Sequence, residues 1–508
     1  LAGGELYRMQ LEDLGNEPVF TPWDAWGRRI DRVEITTLWR AAERIAAERG
    51  IVAAAYDGAY GAEARVHQFT LAYLFAPSTD LYACPLAMTD GAARALIASG
   101  NQALIGRALP HLTTRDPAAF WTSGQWMTEA IGGSDVGLAE TLARQESGTW
   151  RLYGRKWFAS AIHSQVALTL ARPEGNPPGG KGLALFYVET RTRDGEPNGI
   201  RIEQLKGKLG TRKVPTAQIT LDGASAQLVC GTTDGVRNIA PVLNVTRIWN
   251  SVTACALMRR GLALARDYAS RRVAFGAPLA EQPLHLDTLA GLQAEFEAAF
   301  HLSMFAVELL GRAEDMRASE EQLALLRILV PVAKLTTARQ AVAVLAEIIE
   351  AFGGIGYVEE TGLPALLRDA HVLPIWEGTT NVLALDALRA VHEARGLNTL
   401  VREVRFMLQG VKEPGLLQLS ARVERVLERS ETWFGQASAE QTQAGARRFA
   451  LTLGRTVALA LLARQAQWAL AWKQDRRPLA AALRFAATGI DELRDIAAMD
   501  AGALARDD

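Results

Sequence analysis

Ala217-Gln218-Ile219-Thr220-Leu221-Asp222 alternates apolar and polar side chains with a period of two, the pattern of a strand with one face buried and the other wet. Leu183 to Val188 is a short apolar run bounded by Gly182 and Glu189, and predicts a more deeply buried strand. Between strands, Pro173-Glu174-Gly175-Asn176-Pro177-Pro178-Gly179-Gly180 is too rich in turn formers to continue a helix or a sheet. This texture runs from about Trp121 to Val229. On either side the periodicity is helical. Leu38, Ala41, Ala42 and Ile45 fall at i, i+3, i+4 and i+7. Ile239–Arg272, Leu284–Arg312, Ser319–Phe352 and Thr379–Arg395 are long enough to pack side by side as a bundle. The expected fold class is therefore α+β. A helical domain over 1–120 precedes a β domain over 121–232, a helical bundle over 233–396 and an extra helical domain over 397–508.

The 508 residues exceed what one core organises. A hydrophobic fraction of 49% and a charged fraction of 22% are ordinary for a globular enzyme. Lys+Arg 55 against Asp+Glu 56 leaves no global field to recruit nucleic acid or an anionic membrane. Charges interrupt the apolar stretches short of the ~18 residues of a membrane span; Val457–Ala463, for instance, lies between Arg455 and Arg464. The first residues show no leader pattern. Cys84, Cys230 and Cys255 are far apart and form no CxxC, which suits a reducing cytoplasm. The seven histidines lack metal-binding spacing, and no metal is expected.

Four stretches bear on chemistry. In Met127-Thr128-Glu129-Ala130-Ile131-Gly132-Gly133-Ser134-Asp135-Val136 the paired glycines let backbone N–H groups approach an anion, with hydroxyls on Thr128 and Ser134 beside them. A surface turn fits the same residues. Trp157-Phe158-Ala159-Ser160 sets an aromatic and a hydroxyl at a strand end, suited to a flat heterocycle or to a sheet core. Phe352-Gly353-Gly354-Ile355-Gly356-Tyr357 follows a helix and lacks GxGxxG spacing, so it is no dinucleotide loop; Gly353 could end the helix. Pro374-Ile375-Trp376-Glu377-Gly378-Thr379-Thr380-Asn381 places a carboxylate among apolar residues on a loop leading into a helix. That setting suits either a general base or an acid favoured by the helix dipole.

Taken in order, these motifs resemble the acyl-CoA dehydrogenase family over roughly residues 20–395. The AidB-like branch is suggested by Trp23-Asp24-Ala25-Trp26-Gly27-Arg28-Arg29, by Trp376 before Glu377, by Leu385-Asp386-Ala387-Leu388-Arg389 and by the additional C-terminal helices. The resemblance implies FAD as cofactor, held by Met127, Thr128, Gly133, Ser134, Phe158, Ala159, Ser160, Thr379 and Asn381. It also implies that Arg272 and Phe275 reach the flavin of a neighbouring subunit, near Gly353 and Gly354. Glu377 would be the catalytic base, with Arg247, of the Thr246-Arg247 pair, close by. Ser134, Arg247, Glu377 and Gly378 would meet the substrate. The implied activity is α,β-desaturation of a short or branched acyl-CoA by a homotetramer. The alternative implied by the branch is a flavoprotein that binds double-stranded DNA through 397–508, with vestigial catalysis. That region holds 16 Lys/Arg against 13 Asp/Glu, with Arg422, Arg425 and Arg429 interleaved by Glu424, Glu428 and Glu431. Arg447, Arg448, Arg476 and Arg477 are the other cationic candidates. Two positions depart from the family: Pro283, preceded by Gln282, stands where a flavin-contacting glutamine is common, and Asn381 also replaces a glutamine.

Overall fold

The computed structural model describes residues 4–393, 396–494, 496 and 498–506. The chain opens on helix α1 (Glu5–Glu12), strands β1 (Val19–Trp23) and β2 (Arg29–Glu34), and helices α2 (Thr37–Glu48), α3 (Ala64–Phe75), α4 (Ala83–Ser99) and α5 (Gln102–Leu112). Strands β3 (Ser123–Trp126), β4 (Leu142–Glu146), β5 (Thr149–Ser160), β6 (Val166–Pro173), β7 (Ala184–Glu189), β8 (Ile200–Leu205) and β9 (Thr216–Leu228) follow. Then come α6 (Gly235–Asn238), α7 (Ala240–Arg271), the short strands β10 (Val273–Ala274) and β11 (Ala277–Pro278), α8 (Pro283–Glu314), α9 (Glu320–Ala351), α10 (Leu363–Ala370) and α11 (Thr380–Glu393). The chain closes with α12 (Gly396–Leu408), α13 (Pro414–Gln436), α14 (Ala439–Lys473), α15 (Arg477–Ala487) and α16 (Ala498–Ala505). Two compact units result: residues up to Tyr60 with His67–Trp249, and Gly61–Val66 with the residues from Asn250 onward.

In the first unit the seven-stranded sheet runs β3-β6-β4-β5-β9-β7, with β8 on β9. Strand β7 also pairs back with β6, so five strands close on themselves and lose their open edges. Ala217, Ile219 and Leu221 of β9 are buried as their alternation requires. The continuous run in β7 has a different cause. Ala184, Phe186 and Val188 enter the core between strands with Trp126, Leu152 and Ile219. Leu183, Leu185 and Tyr187 face the other way, onto Leu96, Leu104, Leu112, Ile239 and Val242 of the covering helices. Both faces are dry, hence no polar alternation.

The N-terminal region is helical as expected over α1 to α5, and it also carries the hairpin of β1 and β2, which the expectation left out. Its pattern is inverted: Asp31 is buried, bonded to Arg29 and to the N–H of Ile202, while Phe20 and Val33 only partly cover the sheet core. A strand whose buried residue is an acid gives no hydrophobic period to read.

The second unit is helical. A Cβ on Gly261 of α7 would lie 2.7 Å from Ile348 and 2.8 Å from Leu345, which shows how closely α7 and α9 approach. The helices beyond 396 pack on this bundle. Arg455 of α14 pairs with Glu295 of α8 at 2.8 Å, and Gln340 of α9 donates to the same carboxylate at 2.8 Å. Burial pushes that carboxyl up, but Arg455 and the other donors outweigh it and hold it below the usual range. Ser319 with Gln322 and Ser438 with Gln441 form capping boxes that start α9 and α14. One described helix, α9, is long and apolar enough to cross a membrane, but 83% of its most apolar window is buried inside the unit.

Candidate functional site

The first glycine motif is a tight reversal in the first unit. Glu129 N–H donates to Gly132 C=O at 3.3 Å and Gly132 N–H returns the bond at 3.0 Å. A Cβ on Gly133 would come within 2.6 Å of Thr128 Oγ1, so the chain crosses its own threonine where only glycine fits. Met127 and Thr128 are half-buried, and Gly133 and Ser134 are exposed. Trp157 N–H donates to Thr128 C=O at 2.9 Å, which brings the second motif alongside. That motif ends β5, as its pattern suggested. Phe158 is 48% exposed and so is no core aromatic. Ala159 is buried, and Ser160 Oγ lies 3.2 Å from Thr216 Oγ1. The Lys206 ammonium sits 3.2 Å from the Trp157 ring centroid.

Beneath these motifs is a feature the sequence reading passed over. Lys156 is fully buried and donates to Glu129 Oε1 at 2.7 Å and to Leu170 C=O at 2.8 Å. Glu129 also accepts from Thr141 Oγ1 at 2.5 Å and from Glu140 N–H at 2.7 Å. Burial pushes this carboxyl up; Lys156, Thr141 and Glu140 overcome that and hold it below the usual carboxylate range. Glu129 adjoins Thr128 and Lys156 adjoins Trp157, so one ion pair fixes the roots of both motifs.

Thr246 and Arg247 lie on the first turns of α7 and are both buried. Their position is set by α4: a Cβ on Gly91 would be 2.7 Å from Val242, and Asp90 accepts from Trp249 Nε1 at 2.7 Å, Gln68 at 2.8 Å and Tyr56 at 2.6 Å.

In the second unit, Arg272 follows α7 and is exposed, whereas Arg271 pairs with Asp267 at 2.6 Å. The chain then turns through Phe275 (φ 53°) and Gly276 (φ 84°) between β10 and β11. Two positive φ values in a two-residue turn match the twist of a hairpin. Phe275, at its tip, is 99% exposed. Gln282 caps α8 beside Pro283 and spends its side chain on Ala274 C=O at 3.2 Å, bracing the same hairpin. Gly353, with φ 64°, ends α9 as a left-handed cap should, and Gly354 beside it is exposed.

Glu377 occupies the loop between α10 and α11. It is half-buried, and its φ is 57°, followed by 101° at Gly378. A non-glycine residue in the left-handed region is uncommon and strained. Thr379 is exposed and its hydroxyl accepts weakly from Val382 N–H at 3.4 Å. Asn381 Oδ1 accepts from Arg447 of α14 at 3.5 Å. Of the other C-terminal arginines, Arg429 pairs with Asp491 at 2.6 Å and Arg477 with Asp475 at 2.7 Å.

The residues fit a flavin dinucleotide on structural grounds. In the first unit a glycine passes closely over Thr128 at Gly133, and an exposed aromatic and a hydroxyl end the adjoining strand; in the second unit, taken by itself, an exposed arginine and an exposed aromatic share a turn. No group of three or more potential metal ligands occurs among the described residues.

Known proteins are similar to this chain. Sequence profiles of the acyl-CoA dehydrogenase middle domain and C-terminal domain match residues 124–224 and 233–392. The N-terminal domain of the adaptive response protein AidB matches 8–117, and a domain like the C-terminal one of acyl-CoA dehydrogenase 11 matches 396–501. Acyl-CoA dehydrogenase family member 11 of Caenorhabditis elegans is 44% identical over 76% of this chain, a span that covers 65% of the worm protein. AidB of Escherichia coli (strain K12) is 32% identical over 78% of this chain and 73% of its own length. The crystal structure of Caenorhabditis elegans ACDH-11 in complex with C11-CoA superposes with a TM-score of 0.93 at 39% identity, covering 97% of this chain and 86% of that one. The chain belongs to the acyl-CoA dehydrogenase family, in its AidB-like branch.

Proposed function

We propose that this protein is an FAD-dependent oxidoreductase that desaturates the α,β-bond of a short or branched acyl-CoA. The observation that carries the reading is Glu377, an acid held in a strained left-handed turn at the position where the family places its base. Its carboxylate takes the α-proton; the β-hydrogen leaves with its electron pair, and the Cα–Cβ double bond forms. When bound, FAD supplies the acceptor for that hydride. Thr128, Gly133, Phe158 and Ser160 would hold and orient the flavin, and Arg272 with Phe275 would reach the charged half of a neighbouring subunit's flavin. The solvent-facing tip at Phe275 supports an assembly in which another subunit covers it, and a homotetramer is the form we propose.

The test is an anaerobic titration of the yellow protein with short branched, short straight, medium-chain and C11 acyl-CoA. Bleaching by at least one of these is expected; a protein that remains colourless after reconstitution with FAD, or bleaches with none, defeats the reading. Arg272→Ala is expected to weaken FAD retention by roughly 1.5–3 kcal/mol, the worth of a charge-assisted contact. Equal flavin content in mutant and wild type after gel filtration would remove Arg272 from the site.

The DNA-binding alternative has less support. Arg429 and Arg477 already have acidic partners, and an excess of three charges is small beside the six to ten phosphate contacts of a salt-sensitive binder, as an order of magnitude.

A further inference from the structure

Lys334 stands alone as a cation in the stretch Ile328-Leu329-Val330-Pro331-Val332-Ala333-Lys334-Leu335 of α9, and none of it reaches solvent. An ammonium carries three donors and survives burial only where acceptors meet it. Here it donates to Trp376 C=O at 2.6 Å and to Gly378 C=O at 2.7 Å. These two carbonyls flank one residue, Glu377. The left-handed turn at Glu377 and the φ of 101° at Gly378 accompany the convergence of both carbonyls on one ammonium. On the other side of the loop, Trp376 Nε1 donates to Asn250 Oδ1, and Trp376 N–H bonds back to Val372 C=O at 3.1 Å. Thus the backbone on either side of Glu377 is tied to the long helices α7 and α9.

We propose that Lys334 is a positioning residue for Glu377: its ammonium clamps the backbone on both sides and thereby sets the direction in which the carboxylate leaves the chain. This rests on the reading of Glu377 as the base. The location of the clamp argues for this role over simple support of the fold. A buried ammonium is costly to desolvate, and a packing in which neither the cation nor its acceptors are buried often serves stability as well or better. The carbonyls of Trp376 and Gly378 belong to a strained loop, and such strain persists only where the surroundings over-determine it.

Two measurements on Lys334→Met test the clamp. Hydrogen exchange of the amides from Trp376 to Thr379 reads the loop whatever the activity, and it should quicken at least about tenfold as the opening free energy falls. Flavin reduction by an acyl-CoA, per bound flavin, should slow by about 10–100-fold with little change in substrate affinity, since small displacements of a reacting group cost that much. Because the substitution leaves the carbonyls of Trp376 and Gly378 without this donor, the unfolding temperature should fall, and both readings are taken well below it. Unchanged exchange with unchanged reduction overturns the proposal. So does a loss of activity wholly explained by fewer folded or flavin-loaded molecules. If Lys334→Met does not accumulate as folded protein, Lys334→Gln, which is polar but shorter, decides by the same two readings, and wild-type values in both overturn the clamp. A wild type that reduces its flavin with no acyl-CoA defeats the dehydrogenase reading, and the exchange measurement then decides the clamp alone.

Discussion

Glu377→Gln should yield a folded, yellow protein whose flavin is reduced by acyl-CoA about 10²–10⁴-fold more slowly than in the wild type, the range that a positioned general base contributes. Gln matches Glu closely in size, so the half-buried side chain and its loop keep their packing. The strain at φ 57° is unchanged, because the left-handed cost depends on the presence of a Cβ and not on charge. What the amide cannot do is accept the α-proton. Rapid mixing without oxygen, following the flavin band, measures this step directly. A mutant as fast as an active wild type would show that Glu377 is not the base, and the assignment of the loop would fall with it.

The legible parts of the molecule are those where one side-chain period ran unbroken. The alternation in β9 and the apolar run in β7 marked the sheet, and the long helices α7, α8, α9 and α11 were found to within a few residues of their ends. Among the motifs, the end of α9 at Gly353 could be read because its chemistry is local to the backbone. The β1–β2 hairpin escaped because its buried position is Asp31. Lys156, Glu129 and Lys334 escaped for a related reason: their roles depend on partners 11 to 44 residues away, which no local period encodes. A signal existed all the same. A lone lysine inside an eight-residue apolar run, as at Lys334, must find acceptors or be expelled. The positive φ at Glu377 had no signature beyond the glycine that follows it.

Lys156→Met should be the most destabilising of these substitutions, at about 3–5 kcal/mol near pH 7, because removing one partner strands the other charge in the interior. Glu129 is 4% exposed and would keep only Thr141 and the N–H of Glu140. The sign of the pH dependence follows from its carboxyl, which Lys156, Thr141 and Glu140 hold below the usual range against the upward push of burial. A depressed folded value means that the wild type holds this stability in full above the unfolded value of about 4.3 and loses it as pH falls through the folded one. In the mutant the lowering cation is gone, so its carboxyl protonates at higher pH and ceases to be a stranded charge. The gap in unfolding temperature between wild type and Lys156→Met should therefore be wide at neutral pH and narrow as the solution is acidified. Flavin retention should fall with it, since the pair anchors Thr128 on one side and Trp157 on the other. Adding Glu129→Gln to Lys156→Met should restore part of the loss, because the double change removes the stranded charge. A gap of equal size at every pH would mean that the lost lysine stem, and not its charge, had held the two motifs together.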